Sequence, residues 1–171
     1  RGGCAKVIDV KNLHKAYGDH EVLKGVNEHI EKGEKVVVTN LGHDIEQGTV
    51  VVVTNVLEEP IIKRVIATEG QTVNIDYDTG TVYIDGEALN ETQFGIENGI
   101  TFHPYDGYEA LVFPQTVPKG CVFVLGDNRT VSRDSRYAEI GMIDTRHIMG
   151  EAVFTLYPFD RFGFVKTNEN N

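Results

Sequence analysis

Between residues 35 and 157 the apolar residues fall in short clustered runs, not at the three-and-four spacing of an amphipathic helix. "KVVVT", "TVVVVTNV", "IIKRVIA", "TVNI", "TVYI", "CVFVLG" and "GEAVFTLY" are rich in Val and Ile and are separated by Gly, Asn, Asp and Pro. Branched residues lose little by extending on a pleated surface, and the intervening residues favour turns, so each run predicts a strand. "YDTGTVYIDGEAL" carries two turn signals, Thr79-Gly80 and Asp85-Gly86, the second a strong hairpin signal. An all-β fold follows, barrel-like or a pair of coiled sheets. The segment 90–116 is less regular and more polar, and reads as part of an insertion or cap. Its aromatics Phe94, Phe102, Tyr105, Tyr108 and Phe113 suit a small core of that cap or a binding lip. The tail "KTNENN" is polar and predicts disorder.

Charge narrows the choice of partner. Residues 1–40 carry seven Lys/Arg against six Asp/Glu, the remainder nine against twenty, and residues 65–118 hold no Lys or Arg. A surface of net charge -10 repels phosphate backbones, which argues against nucleic acid. No apolar run approaches the ~20 residues that span a bilayer, and "RGGCAKVIDVKN" has no signal-peptide core, so the chain reads as soluble unless an anchor precedes it. Cys4 and Cys121 make no disulfide framework, and the six histidines show no ligand spacing. Neither a metal nor a cofactor is expected.

Two separated stretches carry candidate chemistry. In "IIKRVIA", alternation puts Lys63 on one face with Ile61, Val65 and Ala67, and Arg64 on the other with Ile62 and Ile66. An amine on an apolar face loses hydration, which lowers its pKa and suits it to act as a base near neutral pH. A lysine whose ammonium reaches water from a strand edge is the plainer alternative. The second stretch, "GDNRTVSRDSR" at 126–136, holds the chain's two serines, Ser132 and Ser135, among Asp127, Asn128, Arg129, Asp134 and Arg136. By itself it reads as a structural network in which two Asp–Arg pairs brace one loop.

The first 34 residues differ in character. "VIDVKNLHKAYGDHEVLKGVNEHIEKGE" resembles the opening strands of an ATP-binding-cassette ATPase. That resemblance requires G-x-x-x-x-G-K-[ST] after "EKVVV", because backbone amides and a lysine must cradle the phosphates. The chain continues "TNLGHDIEQGT" instead, so it offers no nucleotide site.

From about residue 33 to 163 the chain resembles the bacterial type I signal peptidases. "IIKRVIATEGQTV" is similar to the family's K-R-V-I-G-x-x-G-D-x-V, "TVYIDG" to its V-Y-I-N-G hairpin, and "GDNRTVSRDSR" to G-D-N-R-x-N-S-x-D-S-R. The departures are Ala67 for Gly, Gln71 for Asp and Val131 for Asn. The resemblance implies a coiled β catalytic domain from 26–71 and 117–163, an inserted cap at 72–116, an atypical segment at 1–25 and a tail at 164–171. It further implies Lys63 as general base and Ser132 as the hydroxyl that orients it. Asp134 and Arg136 become the brace, with Asp127, Asn128 and Arg129 in the same supporting motif. Neither serine is then the nucleophile.

In that family a Ser/Lys dyad cuts after a small-x-small motif in a preprotein at the extracytoplasmic face of the membrane, the serine attacking while neutral lysine takes its proton. The family's nucleophile lies in S-M-x-P-T-L-x-x-G-D. Counting back from Gly33-Glu34, the matching residues are "GVNEHIEKGE", which puts Gly25 where the serine belongs. A degenerate family member, an engineered replacement and a natural fusion all fit this. Two functions stay open: a signal-peptidase-type serine endopeptidase impaired at its nucleophile, or a non-proteolytic relative that binds peptides or assists assembly of surface proteins such as pili. The implied partners are signal peptides or preproteins, and a membrane surface reached through an N-terminal anchor that this chain lacks.

Overall fold

A computed structural model describes residues 8–17, 20–30, 35–39, 45–104, 107–157, 163–165 and 167. Cys4, Gly33, Glu34, Tyr105 and the end of the polar tail lie outside the described residues. The protein forms two compact units, Arg1–Val37 with Phe154–Gly163 and Val38–Val153 with Phe164–Asn171. The first contains an antiparallel pair, β1 (Ile8–Tyr17) and β2 (His20–Ile30). Residues 26–30, grouped by their sequence with the later strands, belong to β2.

The remaining strands are β3 (Lys35–Thr39), β4 (Val50–Val53), β5 (Ile61–Thr68), β6 (Thr72–Asp76), β7 (Thr81–Ile84), β8 (Glu87–Ala88), β9 (Gln115–Thr116), β10 (Cys121–Leu125), β11 (Ile143–Asp144), β12 (Ile148–Tyr157) and β13 (Gly163–Phe164). The larger sheet runs β11-β10-β5-β4-β12-β13, with β3 also paired to β12, and the smaller runs β8-β7-β6-β9. Every pairing with a defined register is antiparallel. Helical structure among the described residues is confined to two short 3₁₀ turns, Glu91–Phe94 and Thr145–His147. The fold is all-β, as the clustered Val and Ile runs predict.

Two apolar layers hold the second unit together. On one face of the larger sheet, Ile66, Ala67, Phe123 and Leu125 pack with Val73, Ile75, Val82 and Ile84 of the smaller sheet. On the other, Val51, Val53, Val65, Val122 and Val124 pack with Tyr137 and Ile140, from the long loop after β10, and with Ile143. Four consecutive valines of β4 are therefore buried. A strand covered on both faces shows a continuous apolar run, not an alternating one.

One detail of β5 departs from simple alternation. Phe123 lies opposite Ala67, but Val124 lies opposite Val65, so Ile66 is an extra residue in β5. Such a bulge moves the next residues of the strand to the opposite face. Ala67 consequently joins Ile66 in the layer toward the smaller sheet, and does not share the Lys63 face as strict alternation required.

The two turn signals produce the two hairpins of the smaller sheet. Asp85 and Gly86 join β7 to β8 with φ of 53° and 87°. Positive φ at both central residues is the turn whose twist matches the strands it joins. Gly80 (φ 70°) has a second constraint, because an added Cβ would lie 2.5 Å from the Gly99 carbonyl oxygen. At Gly86 nothing lies within 4 Å. Gly86→Ala therefore carries backbone strain alone and costs about 1 kcal/mol, whereas Gly80→Ala adds a backbone clash and costs about 3 kcal/mol. Urea unfolding midpoints of the two variants check this order.

Candidate functional site

The site grows from the place where β5 and β10 leave the larger sheet. The ladder runs Val124↔Val65 and Leu125↔Arg64 and ends there, so Gly126 and Lys63 each adjoin its last rung along their own segments. Side chains on one antiparallel rung share a face, with Cβ atoms about 5 Å apart. Lys63 is half-buried on the face carrying Ile61 and Val65, lies opposite Val51 on β4, and its Nζ donates to the Ile62 carbonyl at 3.0 Å.

Gly126 has no side chain, and Ser132 occupies the space where one would be. An ideal Cβ on Gly126 would lie 2.0 Å from Ser132 Oγ and 2.5 Å from Ser132 Cβ. The loop thus lays a hydroxyl over the end of β10. That Oγ is buried and has no hydrogen-bond partner among the described residues. Ser132 Oγ makes no hydrogen bond to Lys63.

The loop holds this geometry by a buried charge pair. Asp134 is fully buried and Arg136 is 2% exposed. Asp134 Oδ1 accepts from Arg136 Nε at 2.8 Å, and Oδ2 accepts from Arg136 Nη2 at 3.0 Å and from the Gly126 amide at 3.1 Å. Arg136 also donates to the carbonyls of Arg129 at 2.8 Å and Phe102 at 3.0 Å. Two buried charges have lost their hydration, and this set of directed bonds offsets that loss.

Ser135 plays a different part. β11 pairs with β10 only at Cys121 and Val122, which leaves the edge at Val124 open. The Ser135 amide donates to the Val124 carbonyl at 3.1 Å, and its Oγ accepts from the Val124 amide at 3.0 Å. Ser135 therefore continues the sheet edge past the end of β11, using its hydroxyl in place of a carbonyl.

Only one of the two Asp–Arg pairs expected within the loop forms there. Asp127, half-exposed, accepts a bidentate pair from Arg64 of β5, Nε to Oδ1 at 2.9 Å and Nη2 to Oδ2 at 2.8 Å. Arg64 Nη1 donates to the Gly48 carbonyl at 2.8 Å, and its guanidinium lies 5.2 Å from the centroid of Phe94. Neighbouring cations on β5 thus face opposite sides, and Arg64 fastens the loop to the sheet.

Arg129 turns inward instead. Its Nε donates to the Gly126 carbonyl at 2.9 Å, and Nη1 reaches Thr101 Oγ1 and Glu91 Oε1, both at 2.5 Å. The Glu91 contact is ionic, without the alignment of a hydrogen bond. Burial pushes the Glu91 carboxyl up from its ordinary pKa, opposed by the Arg129 charge. Asn128 stays exposed and shapes the turn, its Oδ1 accepting from Thr130 Oγ1 at 2.8 Å and its carbonyl from the Ser132 amide at 3.1 Å.

Sequence reasoning did not single out Gly126, Glu91 or Thr101. Glu91 had one available signal: it belongs to a stretch, 65–118, with no Lys or Arg of its own. A carboxylate buried there takes its counter-charge from another part of the chain. Of the five aromatics between 94 and 113, Phe94 is buried and Phe113 packs on the layer toward the smaller sheet, while Phe102 and Tyr108 are 49% and 48% exposed. Gly25 lies within β2, in the other unit. Cys121 is a free thiol, and no cluster of metal-ligating side chains occurs among the described residues.

The structure is all-β, with a half-buried lysine on β5 and a serine-bearing loop held by a buried Asp–Arg pair after β10. Comparison with known proteins gives this architecture a family. Residues 21–157 match the family described as signal peptidase, peptidase S26, and the chain belongs to it. A probable signal peptidase I-1 from Synechocystis is 39% identical over 107 residues, covering 63% of this chain and 47% of that protein. Signal peptidase IB from Staphylococcus aureus is 35% identical over 118 residues, covering 64% of this chain and 59% of that protein. The chain thus spans about half the length of the relatives it matches. The crystal structure of a signal peptidase I from Enterococcus faecalis superposes with a TM-score of 0.50 at 28% identity, covering 65% of this chain and 98% of that one.

Two substitutions test the loop. Arg136→Ala leaves Asp134 buried without its counter-charge and is expected to lower stability by about 3–5 kcal/mol, read from denaturant unfolding. Gly126→Ala drives a methyl into Ser132 and is expected to cost about 1–3 kcal/mol, with the Ser132 amide resonance displaced in an ¹H–¹⁵N spectrum.

Proposed function

We propose that this chain is a signal-peptidase-type serine endopeptidase that keeps its general base and has lost its nucleophile. The observation that carries the reading is the seating of Ser132 over Gly126, next to the Leu125↔Arg64 rung that Lys63 adjoins on β5. Lys63 acts there as the base, with its Nζ held at the Ile62 carbonyl. Ser132 limits the directions in which that amine points, by contact or through a water. Asp134 and Arg136 brace the loop, and Asp127, Asn128 and Arg129 set its path.

What is missing is an attacking hydroxyl. The chain contains only Ser132 and Ser135. Ser135 is fully buried with its hydroxyl committed to the Val124 amide, and Ser132 Oγ is sealed under its own loop. Neither presents an oxygen to a scissile carbonyl, and the position that supplies the nucleophile in the family is Gly25. The substrates of the lineage are signal peptides with small-x-small sites on preproteins, met at the extracytoplasmic membrane surface. Among the described residues no helix is long and apolar enough to cross a membrane. The same two committed serines favour one second reading, a non-proteolytic relative that binds secreted peptides or assists assembly of surface proteins such as pili.

Incubation with a preprotein carrying an Ala-x-Ala site is expected to give no product above background, because loss of a nucleophile removes roughly a millionfold of rate. Replacing residues 25–30 with the family box S-M-x-P-T-L is expected to restore cleavage, by bringing a hydroxyl within about 3 Å of the base. Lys63→Ala in that background then abolishes it. Cleavage by the restored protein without Lys63 would remove the general-base assignment, and tight peptide binding without any cleavage would favour the second reading.

A further inference from the structure

We infer that Glu91, in the segment following the smaller sheet's hairpins, is a positioning residue for the Lys63–Ser132 site and acts through Arg129 on Gly126. The inference rests on the proposed role of Lys63, and it adds a residue from outside the loop and the β5 strand.

Gly126 is clamped from two sides. Its amide is held by Asp134 Oδ2, a bond made wholly within the loop. Its carbonyl is held by Arg129 Nε, and that second clamp is not self-sufficient. The Arg129 side chain is fully buried, so its guanidinium needs acceptors in place of water. Beyond Gly126, the side-chain acceptors it reaches are Glu91 Oε1 and Thr101 Oγ1, and Nη2 has no partner among the described residues. Glu91 carries the counter-charge in that set, which makes it decisive for keeping the cation inside.

Glu91 is itself placed firmly. Its amide donates to Asn98 Oδ1 at 2.7 Å, and its carbonyl accepts from the Ile96 amide at 3.2 Å, closing the 3₁₀ turn around it. Arg136 stitches the loop to the same segment through the Phe102 carbonyl, but that bond brings no charge to Arg129. The consequence reaches the site because Gly126 follows the Leu125↔Arg64 rung that Lys63 adjoins, and is the surface on which Ser132 rests. Releasing its carbonyl moves the hydroxyl and the amine's surroundings together.

The test uses the chain as it stands, with Glu91→Gln, Glu91→Asp and Thr101→Val. The Lys63 side-chain methylene is titrated by NMR, its signal assigned by loss in Lys63→Arg, and the Gly126 and Ser132 amides are followed with the melting temperature. Glu91→Gln is expected to displace the Gly126 and Ser132 amides more than those of the β6–β7 hairpin, and to move the Lys63 midpoint by about half a pH unit or more. Glu91→Asp is expected to fall between Glu91→Gln and the unaltered chain. Thr101→Val gives a smaller change of the same kind, and it decides the matter by the same readouts if Glu91→Gln fails to fold. A lowered melting temperature with unmoved Gly126, Ser132 and Lys63 signals would overturn the inference and leave Glu91 a purely structural residue. If Lys63 of the unaltered chain titrates as an ordinary surface lysine while both amides still move, the base reading fails and Glu91 is left positioning Gly126 and Ser132 alone.

Discussion

A buried ion pair between residues two apart, Asp134 and Arg136, sets the geometry on which the candidate site depends. Asp134 uses both oxygens on Arg136 and keeps a lone pair for the Gly126 amide. Arg136 spreads its remaining donors over the carbonyls of Arg129, Phe102 and Ser132. Coulombic attraction alone does not offset the desolvation of two such charges. What makes the pair tolerable is that each donor and acceptor points at a partner, and those partners are the turning points of the loop. The pair therefore specifies a loop path as well as a contact.

The acidic segment 65–118 is joined to this loop by imported charge. With no Lys or Arg of its own, it buries Glu91 only because Arg129 reaches in from the loop. Arg64 of β5 makes the complementary connection outward, to Asp127. The loop between β10 and β11 is thus tied to β5 by one guanidinium and to the 91–102 segment by two others. Apolar packing works beneath these ties, with Tyr137 and Ile140 seated against the valines of the larger sheet.

Membership of the signal peptidase family and the present residues point in different directions. The chain belongs to the signal peptidase family, while both of its serine hydroxyls are committed to scaffold positions. Ser135 completes a sheet edge, and Ser132 fills the space above a glycine.

Strand positions and the two tight turns were legible in the order of residues, since branched apolar runs and an Asp-Gly pair act locally through sterics. Lys63 and the 126–136 loop were legible as a candidate constellation, because dense charge in a long specific motif is visible without coordinates. Partner choice was not. Asp127 and Arg129 are two residues apart, yet Asp127 pairs with Arg64 and Arg129 with Glu91. A single extra residue, Ile66, carried Ala67 to the other face of β5 against its alternation. Side-chain reach, burial and a one-residue slip in register depend on what the rest of the chain brings alongside. Hydrophobic pattern and turn chemistry are local properties and can be read along the chain, whereas ion pairing and face assignment were decided only once distant segments shared the same buried space.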